Sequence, residues 1–280
     1  MTEELSWRAR QSDMATERHP REGGEGIYRE RQCGALRLCA LRRMNGRKLG
    51  LSGEGWGRYF SISFPAPPLL LPEEEDALTA ALCDAIRYFL PDKAGRVLVA
   101  GLGNRRLTAD ALGPLCADGI TPSAAVPEPL YDALFQGMPR IFVTTPDVFA
   151  QTGIESVALI GAAAKLVRAE ALLVFDALAA ADREHLLCTV ELTDTGTVPG
   201  GGVKNARGML SAETLGIPVL SVGVPTVVRE EGEFLLMRAA SEDGVRHIAS
   251  LLSRAAMRAL EGSVSDTPIP IKEMLEEDTV

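Results

Sequence analysis

The strongest constraint on the fold of this chain is a set of short, continuous apolar runs. They are RVLVAGLGN (96–104), RIFVTTPD (140–147), ALLVFDAL (171–178), CTVELTD (188–194) and PVLSVGVPTVV (218–228). Runs of this length without polar alternation read as strands buried on both faces. Helical stretches lie among them. Residues 73–90 carry acids in the first turn, 152–170 are expected to be capped by Thr152 or Gly153, and 241–262 open with Ser-x-x-Gly. Buried strands alternating with helices imply an α/β fold, with a mostly parallel sheet sandwiched by helices.

The two ends read differently. Residues 1–60 are Arg-rich and punctuated by glycine, as in RHPREGGEGIYRER, and are expected to form a flexible N-terminal arm plus an edge strand, with RYFSISF (58–64) as the alternating segment. The α/β domain is expected over 61–262, with 263–280 as a C-terminal tail. A net charge of −9 argues against sequence-independent binding to nucleic acid phosphates. No apolar run approaches a membrane span, so no membrane association is expected. Five cysteines without CxxC spacing point to reduced thiols and a cytoplasmic location. The histidines, His19, His185 and His247, form no HExxH or HxH pattern, and no G-x-S-x-G elbow occurs.

The glycine turn GLGNRRLTADALG (101–113) falls short of a dinucleotide loop, because Arg106 stands where the third glycine belongs. It does deliver Asp110 to the start of a helix. An acid there often serves only the cap and the helix dipole. Asp176, however, closes a second apolar strand, and the carboxyl ends of parallel strands are where ligands and catalytic groups gather. Two neighbouring carboxylates split their pKa values, so one can deprotonate water while the other donates to a carbonyl oxygen. Asp194-Thr195-Gly196 is a third acidic feature, read as an Asp-turn leading into the glycine-rich loop that lines the site.

Several segments, in order, resemble the germination protease of spore-forming bacteria, an atypical aspartic endopeptidase: GLGN with LTADALGP (101–114), TGIES (152–156), DALAA (176–180), DTGTVPGGGVKNAR (194–207) and LSAETLGIPVLSVGVPTVV (210–228). The resemblance covers about residues 95–230. It implies a sandwich similar to the hydrogenase-maturation proteases, with essential aspartates at Asp110 and Asp176. Ala109 stands where the family has proline, and Gly201 where it has serine. Gly103, Asn104, Asp194, Gly200, Gly201 and Gly202 are expected to bind substrate.

The resemblance also implies small acid-soluble spore proteins as substrate, action in the spore core, and a self-processing zymogen. QSDMATE (11–17) resembles the family's processing sequence, with Asp13 and Met14 flanking the bond. A homo-oligomer is expected, and no cofactor or metal. The alternatives are a metal-dependent protease like the hydrogenase-maturation enzymes, with Asp147 as the one nearby third ligand, or a catalytically silent binding paralogue.

Overall fold

The computed structural model describes residues 12–17, 26–43, 57–65, 70–135, 137–199, 208–229, 237–239, 241–263 and 268–276. Within them the strands are β1 (Gly26–Cys33), β2 (Leu36–Arg43), β3 (Gly57–Ser63), β4 (Arg96–Gly101), β5 (Arg140–Thr144), β6 (Ala171–Ala180), β7 (Thr189–Thr193), β8 (Val219–Arg229) and β9 (Met237–Ala239). They form one sheet in the order β1-β2-β3-β7-β8-β6-β4-β5, with β9 beside β8. The pairs β4·β5, β4·β6 and β6·β8 are parallel, whereas β1·β2, β2·β3, β3·β7, β7·β8 and β8·β9 are antiparallel. The fold is therefore α/β, with a parallel half and an antiparallel half meeting at β8.

Helices α1 (Pro72–Phe89), α2 (Leu112–Asp118), α3 (Glu128–Leu134), α4 (Ser156–Val167), α5 (Glu242–Leu260) and α6 (Ile271–Glu276) surround the sheet. Pro72 opens α1, where its missing N–H is no loss, and Glu74 reaches back to the Leu71 N–H at 2.9 Å. Ser241 caps α5 by accepting from the Gly244 N–H at 3.2 Å. One face of the sheet packs Phe60, Ile62, Val99, Leu173 and Leu192 against α1, α2 and α5. On the other face, Leu98, Leu172 and Val174 pack against Ile160 and Ala164 of α4. The continuous run Ala171–Phe175 is buried because helices cover both of its faces.

The structure differs from the sequence expectation at both ends. Residues 26–43, within the expected flexible arm, form the β1–β2 hairpin, and β3 is an interior strand rather than an edge. Leu36, Leu38 and Ala40 point to the core, and Arg29, Arg31 and Arg42 share their face, where Arg29 and Arg42 donate to the Met274 and Leu275 carbonyls and Arg31 pairs with Glu273, all of α6. The expected tail contains α6, whose Ile271, Met274 and Leu275 are buried against the core. Gly153, at φ +69°, closes the short helix Phe149–Thr152, so the following helix starts at Ser156 instead of at Thr152. Residues 1–11 and 18–25 lie outside the described residues.

Candidate active site

The glycine turn makes a close approach rather than a phosphate cradle. A side chain on Gly113 would sit 2.2 Å from the Leu102 carbonyl and 2.5 Å from that of Phe175, so only glycine lets α2 start against the ends of β4 and β6. Gly103 has φ +114°, and a Cβ there would meet the Asp110 carbonyl at 2.0 Å. This tight fold holds Asp110 in the turn Thr108–Asp110 that precedes α2. The Asn104 N–H donates to Asp110 Oδ2 at 2.7 Å, and Asn104 Oδ1 in turn accepts from the Arg106 N–H at 2.9 Å. Thr226 of β8 donates its hydroxyl to the Ala109 carbonyl, tying this turn to the sheet. Gly103 and Asn104 thus position Asp110.

Asp176 follows the buried run of β6 on the same sheet face as Leu172 and Val174. Its Oδ1 accepts from the Ala177 N–H at 2.9 Å and its Oδ2 from the Thr197 hydroxyl at 3.2 Å. Although the residue keeps some solvent access, protein crowds its carboxyl. Burial first, and the charge of Asp110 second, push it up to about 8, against the pull of the Ala177 and Thr197 hydrogen bonds. Burial also raises Asp110, with Asp147 adding to the rise and the Asn104 N–H opposing it. Asp147 stands close by with φ +62°, an uncommon conformation for a residue with a side chain. Its backbone is held by the Ser156 hydroxyl, which donates to the Asp147 carbonyl at 2.8 Å. Both acids thus lie at the carboxyl end of the parallel strands, each with its carboxyl raised by burial.

Asp194 is committed elsewhere. It accepts from the Arg58 N–H and from Arg58 Nε, each at 2.7 Å, and the Arg58 guanidinium lies 5.1 Å from the Tyr88 ring centre. It therefore ties β3 to the end of β7, and the turn after it delivers Thr197 to Asp176. Gly200, Gly201 and Gly202 lie outside the described residues.

The expected processing segment is not loose in this structure. Met14 and Ala15 are buried, and the Asp13 N–H donates to the Ala179 carbonyl at 2.8 Å. Glu191 of β7 accepts from the Ala15 and Thr16 N–H groups at 3.0 and 2.9 Å. Neither Thr197 nor Glu191 stood out as a site residue in the sequence. A charged residue inside the five-residue, wholly buried strand TVELT was the available signal for Glu191.

Among the described residues, one group could offer a metal three ligand atoms: Glu17, Asp182 and His185. The Glu17 oxygens there already accept from the Ala181 and Asp182 N–H groups at 3.0 and 2.8 Å. A hollow of about 520 Å³ lined by Arg96, Tyr131, Arg140 and Glu170 opens at the opposite, N-terminal edge of β4 and β5.

The family model described as germination protease matches residues 71–232. The germination protease of Priestia megaterium is 34% identical over 181 residues, covering 63% of this chain and 49% of that protein. That of Bacillus subtilis is 32% identical over 208 residues, covering 72% and 56%, and that of a Geobacillus species is 40% identical over 136 residues, covering 49% and 37%. The chain spans about half the length of the curated relatives it matches. The [NiFe] hydrogenase maturation protease HycI from Thermococcus kodakarensis KOD1 superposes with a TM-score of 0.39 and 16% identity, over 63% of this chain and 99% of that one. The matched span takes in more than half of the 280 residues, including the glycine turn, both strand-end acids and the loop of Thr197, and the chain belongs to the germination protease family.

Proposed function

We propose that this chain is an aspartic-type endopeptidase that hydrolyses small acid-soluble spore proteins, within the spore core, through Asp110 and Asp176. The observation that carries the reading is the placement of two acids at one sheet edge, Asp176 pushed up to about 8 by burial and by the Asp110 charge, and Asp110 raised by burial against the opposing Asn104 N–H. Near neutral pH one proton is then shared by the pair, held mainly on Asp176.

Asp110, ionised, takes a proton from a water molecule as its oxygen attacks the scissile carbonyl carbon. Asp176 gives its proton to the carbonyl oxygen, which leaves a neutral gem-diol. Collapse breaks the C–N bond. Asp110 passes its proton to the departing nitrogen, and Asp176 recovers one from the diol hydroxyl. Both acids return to their starting states, and no cofactor is consumed.

Self-processing between Asp13 and Met14 is part of the reading, because that bond lies in the segment docked beside Asp176, whose proton affinity the Asp13 charge also raises. Intact-mass analysis with a small acid-soluble spore protein as substrate tests both reactions. Asp110→Asn and Asp176→Asn should each lower cleavage at least 1,000-fold, on the order expected for removing one member of an acid–base pair. Loss of residues 1–13 should stop in the same variants. Undiminished cleavage by either variant would sink the assignment, and cuts scattered over the arginines of the arm would sink self-processing.

A further inference from the structure

The segment 12–17 lies along the sheet as a peptide would. β4 pairs with β6 only as far as Gly101 and Phe175, and beyond that point the same edge of β6 runs on. Asp13 takes up that edge. Its N–H donates to the Ala179 carbonyl at 2.8 Å, and its Oδ2 accepts from the Ala179 N–H at 2.9 Å. Four residues on, the Glu17 carboxylate accepts from the Ala181 and Asp182 N–H groups, with His185 Nε2 3.8 Å away. Between these anchors, Glu191 receives the Ala15 and Thr16 N–H groups and also the Thr16 hydroxyl.

Strand register relates these contacts to the acids. Asp176 of β6 and Glu191 of β7 both stand opposite Gly223 of β8, so they share one sheet face two strands apart. That separation is about 10 Å. The segment from Asp13, on Ala179, to Ala15, on Glu191, spans from β6 to β7 on the sheet face that carries Asp176, and the Asp13 charge is close enough to raise the Asp176 carboxyl. Ala15 is fully buried against Leu41 and Tyr59. A carboxylate buried as Glu191 is costs several kcal/mol unless its oxygens are hydrogen-bonded, and three of its bonds come from this peptide.

We infer that residues 12–17 fill, in cis, the track that a substrate occupies, with Glu191 as the positioning residue for its main chain. Glu191 grips the second and third residues after the reacting bond, and the Ala181 and Asp182 amides form the pocket for a carboxylate on the fourth. The inference rests on the peptidase reading above and adds the groups that set which bond is presented.

The experiment uses full-length protein carrying Asp176→Asn, which removes turnover, with Asp13→Ala and Glu17→Ala to release the segment. Binding of end-blocked, fluorescein-labelled Ser-Asp-Met-Ala-Thr-Glu is read by anisotropy. The released protein should bind at least tenfold more tightly than Asp176→Asn alone, whose own segment fills the track. Adding Glu191→Gln should weaken binding at least tenfold, because one of the two peptide N–H groups then faces an amide NH₂. A peptide ending in Gln should lose at least tenfold on the unchanged protein, an arm that does not depend on how Glu191→Gln folds. Equal affinity for the Glu and Gln peptides, or no response to Glu191→Gln, would overturn the track. Hydrogen exchange gives a second readout. In the otherwise unaltered chain, Glu191→Gln should speed exchange at Ala15 and Thr16 at least tenfold while Leu172 stays protected, and unchanged rates there also overturn it. Because anisotropy is blind to turnover, binding as described with no cleavage by the Asp176 protein would strike the peptidase reading and leave the track standing.

Discussion

The parallel half of the sheet, β5-β4-β6-β8, and the antiparallel half, β1-β2-β3-β7, do different work. The first carries the acids: Asp176 just after the buried run Ala171–Phe175 of β6, and Asp110 on a turn that two glycines press against it. The second holds the peptide segment, through Glu191 with Leu41 and Tyr59. The run Ala171–Phe175 in the parallel half is buried on both faces, and burial is what raises the pKa of a carboxyl beside it. The antiparallel half has one face over the main core and one face under residues 12–17, so its exposed side is a place to lay a chain. On the proposed reading, chemistry and peptide positioning are divided between two kinds of sheet, joined at β8, whose Gly223 lies between Asp176 and Glu191.

If the chemistry belongs to the parallel half alone, the pH profile should follow its acids. The protonated fraction of Asp176 falls tenfold per pH unit above its pKa of about 8, and kcat/KM should fall with it. On the acid side, activity should decline as Asp110 takes up a proton, at a pH above the usual aspartate range because burial raises it. Initial rates on a peptide substrate from pH 4 to 10 measure both limbs. A rate still rising between pH 8 and 10 would break the division proposed here.

The next effect tests the backbone that presses the two acids together. Gly113→Ala places a methyl 2.2 Å from one carbonyl oxygen and 2.5 Å from another, and backbone cannot move aside as a side chain tip does. A loss of about 3 kcal/mol is expected from overpacking, seen as a lower urea midpoint at unchanged slope. Gly137→Ala, where a Cβ would meet nothing within 4 Å but φ is +83°, should cost only the backbone strain, about 1 kcal/mol. Equal losses at the two positions would mean that the close approach is looser than drawn.

Much of the parallel half was legible from local sequence. Apolar runs with no alternation name buried strands, and an acid at the end of such a run names a candidate site. Arg96–Gly101, Ala171–Ala180 and Asp176 were accessible for that reason. The antiparallel half was legible only in part. In GIYRERQC and LRLCALRR the period-two apolar pattern is broken by Arg29, Arg31 and Arg42, which stand on the face of Leu38 and Ala40 and find their partners on the distant α6, so composition hid the hairpin. Asp194 looked like part of the substrate loop because the turn after it is glycine-rich, yet its partner Arg58 is 136 residues away. Glu191 and residues 15 and 16 are separated by 176 and 175 positions, and no local pattern encodes a contact of that span.

Asp176 makes a further prediction about stability. In an unfolded chain an aspartate titrates near 3.9, while in the folded chain this one is pushed up to about 8. Between those values the folded state retains a proton that the unfolded state has released. The contribution to stability is therefore full below pH 4, declines as pH rises toward 8, and is flat above it. Asparagine keeps the shape and cannot ionise. Asp176→Asn should be near neutral at pH 4 and stabilising by about 2 kcal/mol at pH 8, less than the full shift implies because the residue keeps some solvent access. Thermal melts of both proteins at the two pH values check it. A variant equally destabilised at both would mean that this carboxyl is not strained by its burial.

The smallest expected effect compares one ion pair from each half. Arg58–Asp194, at 2.7 Å in the antiparallel half, leaves about a third of each side chain exposed. The arginine also stacks 5.1 and 5.2 Å from the ring centres of Tyr88 and Phe89. Arg105–Asp118 in the parallel half leaves about half of each side chain in water. Solvent screening and side-chain entropy consume most of an exposed pair's attraction, whereas a fork already held by an aromatic face is screened less and loses less freedom on pairing. Arg58→Met should cost about 1 kcal/mol, with Asp194 still accepting from the residue 58 N–H, and Arg105→Met less than about 0.5 kcal/mol. Urea midpoints at low and high salt separate the two, since the Arg105 effect should vanish at about 1 M salt and the Arg58 effect should persist in part. If both fade together, Asp194 is held by surface charge alone, and the joint between β3 and β7 must be credited to the strands' own pairing.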